Sequence, residues 1–167
     1  MSKRNIPFGV LIIFAVYLLT LVAVGQSTDA WVGTWKLNVA KSQFPPWRRA
    51  PQSNTWTIAS PNGGWMSVAD ITSADGTTMH EEVNSKFDGH DYPVKGRGPN
   101  QAVYANGTVA HTRIDDHTFE VVVKFNSKLA NTRRFVVSQD GKTLTDTGTG
   151  TDPQGRKFVS VQIWDRQ

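Results

Sequence analysis

Gly33-Thr-Trp35-Lys-Leu37-Asn-Val39 alternates apolar and polar side chains along its length. A strand projects successive side chains to opposite faces, so this spacing gives one apolar face and one wet one. The glycine lets the chain enter closely. The tryptophan two positions on is large enough to plug one end of a small barrel, where its indole N–H requires a partner. The same rhythm continues in both directions from this stretch of the chain. Thr55-Trp-Thr-Ile58 repeats it, as do Met79, Val83 and Phe87 between Asp75-Gly76 and Asp88-Gly89. Val109 to Ile114 follows Asn106-Gly107, a strong hairpin signal. Phe119, Val121, Val123 and Phe125 share one face against Glu120 and Lys124, Phe135-Val-Val137 runs to Asp140-Gly141, and Lys157 to Trp164 ends the series. Glycine-bearing turns recur every roughly eight to twelve residues, which leaves no room for helical crossovers. About nine to eleven short strands in one run of hairpins must hide their edges, and closure does so completely. The fold class expected is all-β: an antiparallel up-and-down β-barrel of about 8–10 strands. A sandwich is the alternative. Ala40 to Ser53 breaks the pattern with Pro45, Pro46 and Pro51; Ala40 to Phe44 has room for one helical turn that the prolines stop.

The chain has 167 residues, no cysteine, and 18 Lys+Arg against 14 Asp+Glu, a formal net charge of +4. Residues 1–25 read as a secretory signal peptide, a hydrophobic leader helix. Lys3 and Arg4 precede an apolar run from Ile6 to Gly25, and Ala23-Val-Gly25 supplies the small residues of a cleavage site. The run also has the ~20-residue length of a bilayer span, so an uncleaved single-pass anchor is the alternative, with membrane contact through residues 6–25. Either reading places residues 26–167, taken as a single domain, outside the cytoplasm, periplasmic or secreted. Without the two leader cations the domain carries 16 basic and 14 acidic residues. No Lys/Arg cluster extends beyond adjacent pairs, so no nucleic-acid partner is expected. The absence of cysteine excludes disulfides, thiolate metal sites and a cysteine nucleophile.

Val32-Gly-Thr-Trp-Lys-Leu37 resembles the opening strand of the fatty-acid-binding proteins, and Gly33-x-Trp35 fits the first lipocalin motif. From Gly33 to Gln167 the chain is similar to small uncharacterised exported bacterial proteins of lipocalin-like (calycin) type. That similarity is carried by Gly33-Thr-Trp-Lys-Leu-Asn38, Lys41-Ser-x-Phe44, Asp88-Gly89 to Tyr92-Pro-Val94, and Val137-Ser-Gln-Asp-Gly-Lys-Thr-Leu144. The resemblance implies a barrel able to hold a small apolar molecule and supplies no activity. Two departures matter. Ala40–Ser53 is too short and proline-rich for the helical lid of the fatty-acid-binding proteins. Their closing Arg-x-Tyr is also absent, the chain ending Trp164-Asp-Arg-Gln167.

If the apolar parity faces inward, polar residues enter with it. Glu81 is in phase with Met79 and Val83, His111 and Arg113 with Val109, and Arg133 with Phe135. Buried charge is costly unless paired, so Glu81 with Arg113 or Arg133 is the expected interior pair. Trp35, Trp56, Glu81, His111, Arg113, Phe125 and Arg133 are the interior candidates for ligand binding. The competing reading is a barrel filled by side chains. His80, His90, His111 and His117 lack the spacing of a zinc site, and no metal or cofactor is expected. Neither a G-x-S-x-G elbow nor a phosphate-binding glycine loop occurs, so no catalytic residue is assigned. Trp47, between Pro45-Pro46 and Arg48-Arg49, is suited to touch a headgroup, a ligand or a partner. The functional expectation is an exported, non-catalytic binder of a small apolar or amphipathic molecule. The alternative is a filled-barrel interaction or accessory module in an envelope complex, with or without a membrane tether.

Overall fold

In the computed structural model, the described residues are 29–99, 101–152 and 154–167, with the backbone alone described for 101–103. The leader lies outside them. Ten strands follow in chain order: β1 (Gly33–Gln43), β2 (Ser53–Ala59), β3 (Trp65–Thr72), β4 (Thr78–Ser85), β5 (Tyr92–Arg97), β6 (Gly107–Arg113), β7 (Thr118–Phe125), β8 (Lys128–Val137), β9 (Thr143–Thr151) and β10 (Lys157–Arg166). Each pairs antiparallel with its chain neighbour, and β1 closes the ring by pairing with β10, from Trp35↔Arg166 to Asn38↔Ile163. Among the described residues the ring is closed, and its thinnest seam lies along β5. That strand meets β6 only at Tyr92↔Val109 and Pro93↔Thr108. Beyond Pro93 a short helix, α1 (Gln101–Asn106), packs on β5 in place of a neighbouring strand.

Ala40 to Gln43 does not form the expected helical turn. These residues continue β1 as strand, across a register shift between Asn38 and Gln43. Side chains hold the irregularity. Asn38 Nδ2 donates to Asp165 at 2.7 Å, Ser42 Oγ donates to the Asn38 carbonyl at 2.7 Å, and the Ile163 amide donates to Ser42 Oγ at 3.0 Å. Those bonds satisfy backbone groups that the ladder would otherwise leave open, so strand wins over a helical turn.

One end of the barrel is sealed by aromatic rings. Trp31, Trp35, Trp65 and Phe119 are fully buried there. The Trp35 indole N–H donates to the Trp31 carbonyl at 2.8 Å, which meets the requirement set by burying that ring. Arg166 lies over Trp35, its guanidinium carbon 4.2 Å from the ring centroid. It also donates to the carbonyls of Val32, at 2.7 Å, Ala30 and Gly141. Gly33 has φ +140°, and a Cβ there would stand 2.5 Å from the Arg166 guanidinium. Glycine is thus needed at this position both for the backbone and for the clasp.

Candidate functional site

The apolar parity of the strands does face inward, and above the aromatic seal it encloses a cavity of about 430 Å³. Its floor is a packed aromatic layer. Phe119 and Phe135 stack with centroids 4.6 Å apart, and Trp56 lies 5.6 Å from both Trp65 and Trp164. Val83, Val109, Val121 and Val123 line the wall, while Ile71 and Met79 come from the open-end halves of β3 and β4. The strap between β1 and β2 folds across the mouth. Phe44, Arg48, Arg49 and Pro51 from this strap line the cavity. Trp47 pins it, packing edge-on against Phe158 of β10 at 5.9 Å with Arg156 4.6 Å over its ring.

A band of polar groups interrupts the apolar wall. Arg133 donates from Nε to Asp146 Oδ1 at 3.0 Å and from Nη2 to Asp146 Oδ2. Asp146 is 1% exposed, a burial that a carboxylate tolerates only with such a two-point partner. Gly148, two residues along the inward face of β9, leaves room for this pair. A Cβ there would meet Ser160 Oγ at 2.8 Å and the Arg133 stem at 3.9 Å. Glu81 reaches the same cavity from β4, its Oε1 3.5 Å from the Tyr104 hydroxyl of α1. Desolvation raises the Glu81 pKa above the ordinary carboxylate range, opposed by the Tyr104 contact and the charges of Arg133 and Arg48. Arg48 keeps an exposed surface at the mouth. Its pKa is lowered by the protein crowded about it and by the neighbouring Arg133 charge.

Deeper in, His111 is 3% exposed, with its ring 4.6 Å from that of Trp65. Its Nδ1 lies 3.0 Å from Ser85 Oγ. Burial pushes its pKa down to about 4, so at neutral pH the imidazole is uncharged. Two further side chains lining the cavity carry buried polar atoms without a hydrogen-bond partner among the described residues: Trp164 through Nε1 and Asn54 through Oδ1.

Of the seven residues singled out from sequence, Trp56, Glu81, His111 and Arg133 converge on this cavity. Trp35, Arg113 and Phe125 do not line it. Trp35 belongs to the sealed end. Arg113 is also there, paired with Asp29 and lying 4.8 Å over Trp31. Phe125 is the last residue of β7 before a tight turn in which Asn126 and Ser127 both take positive φ, and it is 38% exposed at the rim. The expected pairing also differs. Neither Arg113 nor Arg133 bonds to Glu81, because each has a closer acid, Asp29 or Asp146. Sequence reasoning missed both acids. Asp146 had a usable signal, since it shares parity with Leu144 along β9. Asp29 had none, as it precedes the first strand. Among the described residues no group of three or more His, Asp or Glu converges on a point that would hold a metal ion.

No protein-family model matches the chain. No curated protein matches its sequence either.

Proposed function

We propose that this protein is a lipocalin-like carrier that holds one small amphipathic molecule inside its barrel, without catalysing a reaction on it, outside the cytoplasm. The cavity carries the reading. At about 430 Å³, it falls within the ~300–1,000 Å³ typical of small-molecule sites. Its composition fits as well: most of the lining side chains are apolar, five valines and two tryptophans among them, and the polar groups between them would orient an occupant. The Trp35–Arg166 seal and the ten-strand closure support the lipocalin-like assignment. The basic-then-apolar leader supports export.

The test is a titration of delipidated, refolded protein with N-phenyl-1-naphthylamine, an uncharged apolar probe. Saturable probe emission with matching loss of tryptophan emission is expected, because Trp56 and Trp164 line the site. Native mass spectrometry of the undelipidated protein should show a bound mass. Absence of both a bound species and any tryptophan response would overturn the reading.

A further inference from the structure

The two ends of the barrel differ in charge, and the fold makes the difference. The strap, the β9–β10 turn and the β7–β8 turn follow one another around the open end of the ring. They bring up Arg48 and Arg49, then Arg156 and Lys157, then Lys128, all five exposed. Along the chain these cations never exceed adjacent pairs, so only closure gathers them. The acids nearby are few. Asp152 is buried and takes a hydrogen bond from Arg156 Nε at 2.6 Å, and Asp75 on the β3–β4 turn stands near Arg49. The closed end is the reverse. Its turns carry Asp29, Asp88, Asp91, Asp115, Asp116 and Asp140 against Lys86 and Lys142. The arginines that flank them, Arg113 and Arg166, are committed to Asp29 and to backbone carbonyls.

Large apolar side chains stand among the cations of the open end. Trp47 is half exposed between Pro46 and Arg48, and Phe125 and Leu129 flank the β7–β8 turn, Leu129 at 65% exposure. Val159 extends the group along β10. Single exposed apolar residues are ordinary on a surface, but four on one basic arc mark a site of contact. A soluble polyanion would engage the cations alone. A bilayer with anionic headgroups engages both sets: cations meet the phosphates while tryptophan, phenylalanine and leucine enter the interface. We infer that the open end is a docking surface for a bilayer rich in anionic lipid, with Trp47, Phe125 and Leu129 entering the headgroup layer and the five cations around them. This goes beyond the carrier reading and does not depend on what the cavity holds.

Residues 26–167 contain all ten strands and the pairing that closes the ring, so that chain tests the surface apart from the apolar leader. The assay is co-sedimentation with phosphatidylcholine vesicles, with and without about one-third phosphatidylglycerol. Binding to the anionic vesicles should be about tenfold tighter or more, and should weaken with added salt. Each basic residue near such a surface is worth about fivefold, so Lys128→Gln combined with Lys157→Gln should weaken binding about tenfold or more. Leu129→Gln should weaken it several-fold. Ile114→Gln is the control: Ile114 is 48% exposed but sits beside Asp115 and Asp116 at the closed end, and its loss should change nothing. Tryptophan emission should shift to the blue on anionic vesicles, and Trp47→Phe should remove most of that shift, because the other five indoles are less exposed. Equal binding to both vesicle types, no binding to either, or full binding by the double lysine variant would overturn the inference. So would capture of polyphosphate without vesicle binding, which would make the partner a soluble polyanion. Equal losses in Leu129→Gln and Ile114→Gln would overturn the placement at the open end, and unmoved emission would overturn the entry of Trp47. Probe binding in the cavity is a separate readout, so the carrier reading stands or falls by its own titration.

Discussion

Lowering the pH should weaken this barrel through one residue, His111, over a window that its burial sets. Unfolded, a histidine takes up its proton near pH 6.5. Folded, His111 resists until about pH 4, because charging the ring between Trp65, Phe119 and the cavity wall costs desolvation energy. Between those values the unfolded chain binds more protons than the folded one, so stability falls as the pH falls and is fully present above about 6.5. Each tenfold weakening of proton binding is worth about 1.4 kcal/mol. The fall from 6.5 to about 4 therefore gives a loss of about 3 kcal/mol in total, roughly 2.5 kcal/mol of it between pH 7 and pH 4.5. Several turn carboxylates are perturbed too: Asp75, Asp88, Asp115, Asp140 and Asp152 all have lowered pKa values. Their contribution is therefore lost below the ordinary carboxylate range, under the His111 window. His80 and Glu81 are raised and act with the opposite sign, gaining stability as they protonate. Comparing wild type with His111→Gln cancels all of these. Urea unfolding followed by tryptophan emission at both pH values gives the double difference. The variant starts less stable, having lost the ring contact with Trp65, but it should lose about 2.5 kcal/mol less on acidification. Equal losses in the two proteins would refute the argument, as would an NMR titration placing the His111 pKa near 6.5.

Arg166→Ala removes the cation from Trp35 and leaves three carbonyls without their donor, so it should cost about 2–4 kcal/mol in urea unfolding. Ala69→Phe projects a ring into the cavity from β3 and should weaken N-phenyl-1-naphthylamine binding about tenfold or more, with the fold kept by circular dichroism. Trp47→Ala frees the strap from Phe158 and Arg156, and stopped-flow release of the probe should accelerate several-fold while global stability drops by no more than about 1–2 kcal/mol.

Much of the architecture is legible in the chain because period-two alternation is a local property. Trp35, Leu37, Val109, Val121 and Phe135 all face inward as their spacing requires. The same parity brings Glu81, His111 and Arg133 inside. What the spacing lacks is information carried by other strands. Phase alone assigns Glu81 an arginine, but partner choice depends on register across the ring, which gives Arg133 to Asp146. Phe125 shares a face with Val121 in sequence, yet a register shift after Val123 and a turn without glycine leave it on the rim. The Ala40–Gln43 segment is ambiguous locally and is settled by hydrogen bonds to β10, about 120 residues away. Arg166 is visible in sequence only as the lack of an Arg-x-Tyr ending. Its role needs Trp35 beside it, which only closure provides.

That closure has a consequence for how the protein is made. β1 lies between β2, its nearest neighbour in the chain, and β10, which follows it by more than a hundred residues. Every hairpin from β2 to β9 can form as it is synthesised, but the ring cannot. Until β10 arrives, the facing edges of β1 and β9 expose unpaired amides and carbonyls, and Trp35 lacks the guanidinium that covers it. A chain emerging start-first therefore stays an open, sticky sheet until its last strand is free, and non-local pairing of this kind is slow. Such a delay would suit the export proposed above, in which the chain would cross a membrane unfolded. The same delay makes any truncation within β10 an aggregation hazard rather than a mild loss of stability.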